Sequence, residues 1–417
     1  MINPFDESTL ASVATLLAAT DQLLEKSYPG DSGARQPIHT VYVPGDQYSP
    51  ELPAAWGHNA MVAAGGLVGL SMLATKLNLA EPQRLAELVA EKLASEPIED
   101  LRIDFEDGFG NRSDAEEDAA VLAAADSLAA AIAANKAPSF IGIRFKCFEA
   151  PTRARGIRTL GLFIAQLLSR GQLPAGLRLT LPKVTTVDQV KAMVLLTEKL
   201  EETHGLEPGT LRFEVQVETP QVIIAADGTH PVAGLIHAGQ GRVSSLHYGT
   251  YDYSASLGVA AGYQSMEHPV ADYAKDVMQV AVAGTGVELS DGSTNIIPAG
   301  DPENMAEAWA LHARLVSRHL ARGIYQGWDL HENQLPTRYL ATFAFFREGL
   351  QAAGTRLRNY VHQISSTIMD EPATARALAR YIHRGVTCGA VSAEEVAELA
   401  QITLPELEAI ALNRSHA

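Results

Sequence analysis

The segment PSFIGIRFKCFEAPTRARGIRTLGLFIAQLLSRGQLPAGLRLTLPKV (Pro138–Val184) holds one complete unit of the architecture. An apolar run at Phe140–Phe145 is followed by a helical stretch at Gly156–Ser169 and a second apolar run at Leu177–Leu181. Strand, recrossing helix and strand make up the parallel βαβ unit. The pattern extends in both directions. Upstream are strands at Ile38–Val43 and Leu101–Phe105, with helical sequence at Asn59–Thr75, Pro82–Ser95 and Asp114–Asn135. Downstream come a helix at Val187–Thr203, a strand at Leu211–Val217 and short helical pieces at Thr219–Ala226 and Val232–Ala238. A sixth strand at Val243–Tyr248 precedes helices at Tyr253–Leu257 and Pro269–Ala283. A seventh strand is expected within Val287–Ile297, then a helix at Pro302–Ala321 and an eighth strand at Gly323–Gln326.

Eight strands alternating with helices, each run reading as apolar rather than period-two, predict an α/β fold: a closed TIM (β/α)8 barrel. An open doubly wound sheet would alternate similarly, but no Gly-x-Gly-x-x-Gly follows an early strand. Residues 1–340 are expected to form the barrel with an N-terminal helical segment. Residues 341–417 are expected to form a C-terminal helical lobe, with helices at Tyr339–Ala353, Arg356–Ser365 and Pro372–Arg384 and short pieces from Ala393 and Pro405.

The chain has 417 residues, 47% of them hydrophobic, and a formal net charge of −17. That charge argues against nucleic acid, which is bound through clustered Lys and Arg. No apolar run is long enough to cross a bilayer. The opening MINPFDESTL lacks the basic-then-apolar signature of a secretory signal, and two cysteines, Cys147 and Cys388, offer no disulfide framework. The expectation is a cytoplasmic protein with no membrane and no nucleic-acid partner. His39 and His247 read as core histidines, with lining of the barrel as the alternative, and His312 and His319, on one helix face, read as surface or packing residues.

In a TIM barrel the chemistry sits at the C-terminal strand ends. Those positions hold Asp104, Glu106, Asp107, Arg144, Lys183, Glu218 and Asp252. Carboxylates facing an Arg and a Lys suit a hard cation together with an anionic substrate. Glu218 and Asp252 follow consecutive strands and are the expected metal pair, for Mg²⁺ or Mn²⁺. Each also fits the N-terminal turn of the helix after it. Arg144, inside the strand IGIRF, calls for a carboxylate partner or a ligand. Glu106 and Asp107 also fit helix-start charges, and Lys183 fits as their ion-pair partner. Arg153, Arg155 and Arg158 could receive phosphates or simply start a helix.

Seven motifs occur in order at these strand ends: Val43-Pro44-Gly45, Asp104-Phe105-Glu106-Asp107, Ile143-Arg144-Phe145, Leu181-Pro182-Lys183-Val184, Val217-Glu218-Thr219, YGTYDYSASLG (Tyr248–Gly258) and His331-Glu332-Asn333-Gln334. Over residues 38–340 the chain resembles the citrate lyase β-subunit-like branch of the HpcH/HpaI aldolase superfamily. The resemblance implies a Mg²⁺-dependent carbon–carbon lyase or aldolase acting on a 2-oxo acid or acyl-thioester carboxylate through a metal-stabilised enolate. It implies that Glu218 and Asp252 hold the metal and that Arg144 holds the substrate carboxylate and enolate oxygen. Gly249 and Thr250 are expected to border the substrate, with Glu106, Asp107 and Lys183 shaping proton transfer. A coenzyme A thioester is admitted as substrate, and a homo-oligomer is expected. A malate-synthase-like condensation, a malyl-type thioesterase and a non-catalytic metabolite-binding barrel are the alternatives. The chain departs from the aldolase branch at Asp107, where that branch has His, so the general base is open. It also carries an insertion around Gly228–Gly241 and an elongated loop holding Trp56, Gly57 and His58.

Overall fold

The computed structural model describes residues 4–364 and 371–414. Eight parallel strands form one sheet: β1 (His39–Pro44), β2 (Asp100–Asp104), β3 (Phe140–Arg144), β4 (Leu177–Leu181), β5 (Phe213–Val217), β6 (Val243–Tyr248), β7 (Glu288–Ser290) and β8 (Gly327–Asp329). The strand order runs β7-β6-β5-β4-β3-β2-β1-β8. A parallel bridge between Ser290 and Gln326, with Asp291 N–H donating to Gln326 O at 2.8 Å, joins the two end strands and closes the ring. The fold is a TIM barrel with a C-terminal helical extension.

Helices α1 (Glu7–Ser27), α2 (Leu52–Ala63), α3 (Gly66–Lys76) and α4 (Pro82–Ser95) precede β2. The connecting helices are α5 (Asp114–Ala133), α6 (Arg153–Arg170), α7 (Val187–His204), α8 (Pro231–Ala238), α9 (Thr250–Ser256), α10 (Pro269–Val282) and α11 (Pro302–Ala321). The chain continues as α12 (Leu335–Glu348), α13 (Leu350–Val361), α14 (Pro372–Thr387), α15 (Ala393–Ala400) and α16 (Leu404–Ala411). Among the described residues no single helix is long and apolar enough to cross a membrane.

The strands are not uniformly apolar, contrary to the expectation. They alternate. Val41, Val43, Leu101, Ile103, Ile141, Ile143, Leu179, Leu181, Val215 and Val217 pack in one apolar core with residues of α5, α6, α7, α8 and α10. The intervening Asp100, Arg102, Thr180 and Glu214 meet one another across the barrel. Arg102 pairs with Asp100 and Glu214, and its Nε donates to Thr180 Oγ1 at 3.0 Å. Thr180 Oγ1 donates to Glu214 Oε1 at 2.6 Å, and His247 Nε2 lies 3.1 Å from Glu214 Oε2. All five side chains are fully buried. A buried charge is tolerated only when paired and hydrogen-bonded, and this cluster meets that condition.

A second apolar cluster joins α2, α3 and α4 to α12, α13, α14, α15 and α16. Its polar anchor is Asp329 at the end of β8. Asp329 accepts from Arg338 Nη2 at 2.8 Å and contacts His312 at 3.0 Å and His39 at 2.9 Å. The four histidines considered from sequence are all core residues.

Several boundaries differ from expectation. The eighth strand begins at Gly327, not Gly323. Gly323, at φ +80°, and Ile324 are used to close α11, through bonds to Leu320 O and His319 O. Trp56, Gly57 and His58 belong to α2 rather than a loop. Pro53 sits in its first turn, and Gly57 lets the helix approach Leu93, where a Cβ would lie 2.2 Å from the carbonyl oxygen. The helix expected over Asn59–Thr75 breaks at Gly65, φ +79°. The helix expected at Tyr339–Ala353 starts at Leu335 and divides at Gly349, whose N–H donates to Tyr381 Oη at 3.2 Å. The next, expected to reach Ser365, ends at Val361, and Ser365 lies outside the described residues.

Replacing Arg102 with Met should strand two buried carboxylates and destabilise the fold by about 3–5 kcal/mol. Urea unfolding would measure it; a loss below about 1 kcal/mol would contradict the pairing.

Candidate active site

The C-terminal strand ends gather the sequence-predicted residues into one cluster. Its frame is Asp104, the last residue of β2. Asp104 accepts from the N–H groups of Glu106 and Gly108 at 3.0 and 2.8 Å, which turns the loop. It also takes Arg144 Nε and Nη2 at 2.7 and 2.6 Å. The Arg144 guanidinium lies over the Tyr42 ring, 4.7 Å from its centroid. Fixed edge and face, it leaves Nη1 with one longer contact, 3.5 Å to Glu106 Oε2. Asp104 raises the Arg144 pKa further, against the opposing effect of burial.

Lys183 holds the other side. Its Nζ donates to Glu106 Oε1 at 2.6 Å and Asp107 Oδ2 at 2.7 Å, and lies 3.4 Å from Asp252 Oδ2. Its backbone N–H donates to Glu218 Oε1 at 2.8 Å. One residue therefore touches four carboxylates from the ends of β2, β5 and β6. Its φ is +49°, a left-handed conformation that costs a non-glycine residue roughly 1–3 kcal/mol and clusters at functional sites. Burial holds the Glu106 carboxyl above its usual range despite Arg144 and Lys183. Asp107 is drawn below its range, because the Lys183 bond and charge outweigh its burial.

Glu218 is 3% exposed, directly after β5. Burial pushes its carboxyl up to about 7, against the charges of Lys183 and Arg144. Gly249 makes room for it: a Cβ there would lie 2.5 Å from Glu218 Cβ and 2.6 Å from Oε2. Thr250 is buried, and its Oγ1 accepts from Ser293 N–H at 3.2 Å, tying the loop after β7 to α9. Asp252 lies in the first turn of α9, with its side chain 48% exposed.

The divalent cation that the resemblance implies fits this donor set. Glu218 and Asp252 supply oxygen only, and Glu218 is a buried carboxylate short of positive charge. Among the described residues no group of three or more His, Cys, Asp or Glu side chains is arranged to hold a metal. A cation held by Glu218 and Asp252 would have to draw its remaining ligands from water and substrate oxygens, as Mg²⁺ does.

Other candidates lie apart. Arg155 and Arg158 both bind Asp118, at 2.5 and 2.6 Å, so their guanidiniums are already engaged on α5. His331-Glu332-Asn333-Gln334 forms a self-capped 3-10 turn leading into α12, in which Gln334 Oε1 accepts from Leu330 N–H at 2.7 Å. Sequence reasoning missed Tyr42, the platform under Arg144. The alternation in His39–Pro44, which puts every second residue inside the barrel, was the signal for it.

A model of the family described as Domain of unknown function (DUF6986) matches residues 17–415. No curated protein matches the chain. Among solved structures, CitE from Mycobacterium tuberculosis, in complex with magnesium, acetoacetate and coenzyme A, is similar at TM-score 0.51 and 16% identity, over 86% of this chain and 99% of that one. Haloferax volcanii malate synthase, as a magnesium/glyoxylate complex, is similar at TM-score 0.49 and 12% identity, over 91% and 98%. An HpcH/HpaI aldolase/citrate lyase family protein from Burkholderia cenocepacia follows at TM-score 0.40 and 17% identity, over 80% and 98%. The likeness to CitE is one of fold, and it meets the expected resemblance at that level.

The raised Glu218 pKa has a defined sign. The unfolded carboxyl titrates near 4.5 and the folded one near 7. Its contribution to stability is full below about 4.5 and lost as pH rises through about 7. In chelator, the urea midpoint should fall between pH 5 and 8, and Glu218→Gln should flatten that fall. Equal slopes in the two proteins would refute the assignment.

Proposed function

The chain belongs to the DUF6986 family, and for this member we propose a divalent-metal-dependent carbon–carbon lyase or aldolase. Its substrate would be a 2-oxo acid or an acyl-thioester carboxylate, free or as a coenzyme A thioester, reacting through an enolate. The observation that carries the reading is the set of four carboxylates, Glu106, Asp107, Glu218 and Asp252, drawn around Lys183. Arg144 stands beside them, 3.5 Å from Glu106. A binding-only barrel has little use for a strained lysine and a buried, undercompensated glutamate in its mouth.

Glu218 and Asp252 would hold Mg²⁺ or Mn²⁺, which supplies a Lewis acid at the substrate carbonyl. The chain's own groups do the rest. Arg144 Nη1 is the donor left for the substrate carboxylate and for negative charge developing on the carbonyl oxygen. Asp104 and Tyr42 already fix that guanidinium, so little reorganisation is needed as charge develops. Gly249, packed against Glu218, and Thr250, in the same first turn as Asp252, would border the substrate. Glu106, held protonatable by burial, is the group to take or return the proton at the carbon beside the carbonyl. Lys183 keeps Asp107 ionised and fixes Glu106 through Oε1.

We also propose that the protein is a homo-oligomer in a reducing compartment. Helix α1 supports the first, because it has no buried residue and exposes Leu10, Val13, Leu16, Leu17, Leu23 and Leu24. In proteins most of a helix's stability comes from packing its apolar face rather than from propensity. The two cysteines, free and buried, support the second.

Turnover of a small panel of 2-oxo acids and acyl-CoA thioesters tests the proposal. Mg²⁺-dependent cleavage should drop about 10²–10³-fold in Glu218→Ala and in Arg144→Lys. Activity indifferent to chelator, or equal in Glu218→Ala, would overturn it. Gly249→Ala, which pushes on Glu218, should weaken Mg²⁺ binding about tenfold in calorimetry, a loss of about 1.4 kcal/mol.

A further inference from the structure

A large cavity lies at the other end of the barrel. There the N-terminal ends of β4, β5, β6 and β7 face the segment linking α1 to β1, around a space of about 1070 Å³. In most TIM barrels this face serves stability rather than chemistry. Here cations outnumber carboxylates in the wall: Lys26, Arg178, Arg212 and Arg414 against Asp31 and Glu288. Arg178, in β4, and Arg212, just before β5, both line the cavity. Among the described residues neither has a carboxylate within ion-pair distance. Arg178 makes only a stacking contact with Phe140, 5.1 Å from the ring, and a long 3.5 Å bond to Leu177 O. Lys26, at the end of α1, lines the same space.

This is unusual for a chain of net charge −17, in which cations such as Arg35, Arg144, Arg242 and Arg338 meet a carboxylate at 2.6–2.8 Å. The neighbouring carboxyl, Glu288, is pushed up to about 7 by burial, so it neutralises the pair incompletely. Partial desolvation and the charge of Arg178 lower Arg212 from its usual value, against the opposing charge of Glu288.

An independent feature points to a ligand. Ser244, in β6, lines the cavity at 3% exposure, and its Oγ has no hydrogen-bond partner. A buried hydroxyl without a partner costs free energy that a bound acceptor would recover. Two unpaired guanidiniums and a free hydroxyl donor are the elements of an oxyanion site.

We propose that this cavity is a second small-molecule site, which binds a compact oxyanion, a phosphate or carboxylate group, between Arg178, Arg212 and Ser244 Oγ. The site is separate from the barrel mouth. From Arg178 to Lys183 along β4, and from Arg212 to Glu218 along β5, the strands span roughly 17–20 Å at about 3.3 Å per residue. The same two strands carry a cation of this site at one end and a residue of the candidate active site at the other.

Calorimetric titration of the full chain with inorganic phosphate, and separately with citrate, tests the proposal without any assay of activity. At least one anion should bind in the millimolar range or tighter, and the arm that responds identifies the group. Affinity should fall about tenfold or more in Arg178→Gln/Arg212→Gln and several-fold in Ser244→Ala, and the binding lost in those variants should persist in Arg144→Gln. Arg212→Gln alone changes an exposed side chain and serves if the double variant fails to fold. No binding of either anion, equal binding by wild type and the cavity variants, or loss in Arg144→Gln alone would overturn the proposal.

Discussion

A guanidinium in the middle of a closed barrel cannot reach water, so its charge has to be answered by side chains from several strands. Arg102 is in that position, and Asp100, Thr180 and Glu214 answer it from β2, β4 and β5. His247, from β6, completes the set through Glu214. These contacts cross the ring, so they form only when the strands are in register and the sheet is closed. Removing one partner leaves a buried charge unmatched, which makes the cluster a strong constraint on register. The apolar layer under the helices adds area but little directionality.

The candidate active site is built on this interior. Tyr42 connects the two levels. Its hydroxyl donates to Glu214 at 3.4 Å and accepts from Gln216 Nε2 at 3.1 Å, while its ring carries Arg144. Arg144 in turn is squared against Asp104, which also shapes the loop bearing Glu106 and Asp107. The barrel therefore positions Arg144 from below and from one edge before any ligand arrives. Lys183 does the equivalent for the carboxylates, at the cost of a left-handed backbone. Strain of that kind persists where surrounding contacts over-determine it, and four carboxylate contacts do so here.

The ring is finished by its shortest strands. Strands β7 and β8 have three residues each and meet at one bridge, so the sheet's own bonds are few at the closure. Asp329 supplies what they lack. It ties β8 to β1 through His39, to α11 through His312 and to α12 through Arg338. The C-terminal helices thus contribute to holding the barrel shut, and α12 reaches back to the segment before β2, where Tyr339 Oη donates to Pro97 O at 3.1 Å.

Much of this was legible in the chain. Eight strand–helix units, and the position of Asp104, Arg144, Lys183, Glu218 and Asp252 at strand ends, follow from periodicity and from the rule that barrel chemistry sits at C-terminal ends. The Pro302–Ala321 helix, opened by Asp301 and Pro302, was readable to the residue. What sequence misread was local competition: Gly65 and Gly349 divide helices, and Gly323 delays β8. What it could not supply was partnership. Arg102 reads as one polar residue in a strand until the ring closes and brings Glu214, 112 positions away, against it. Arg178 and Arg212 look like any other arginines until folding leaves them, among the described residues, without a carboxylate at ion-pair distance. Spacing along the chain sets which face a side chain takes. Which charge it meets depends on the curvature of the closed sheet, and only the tertiary structure decided that.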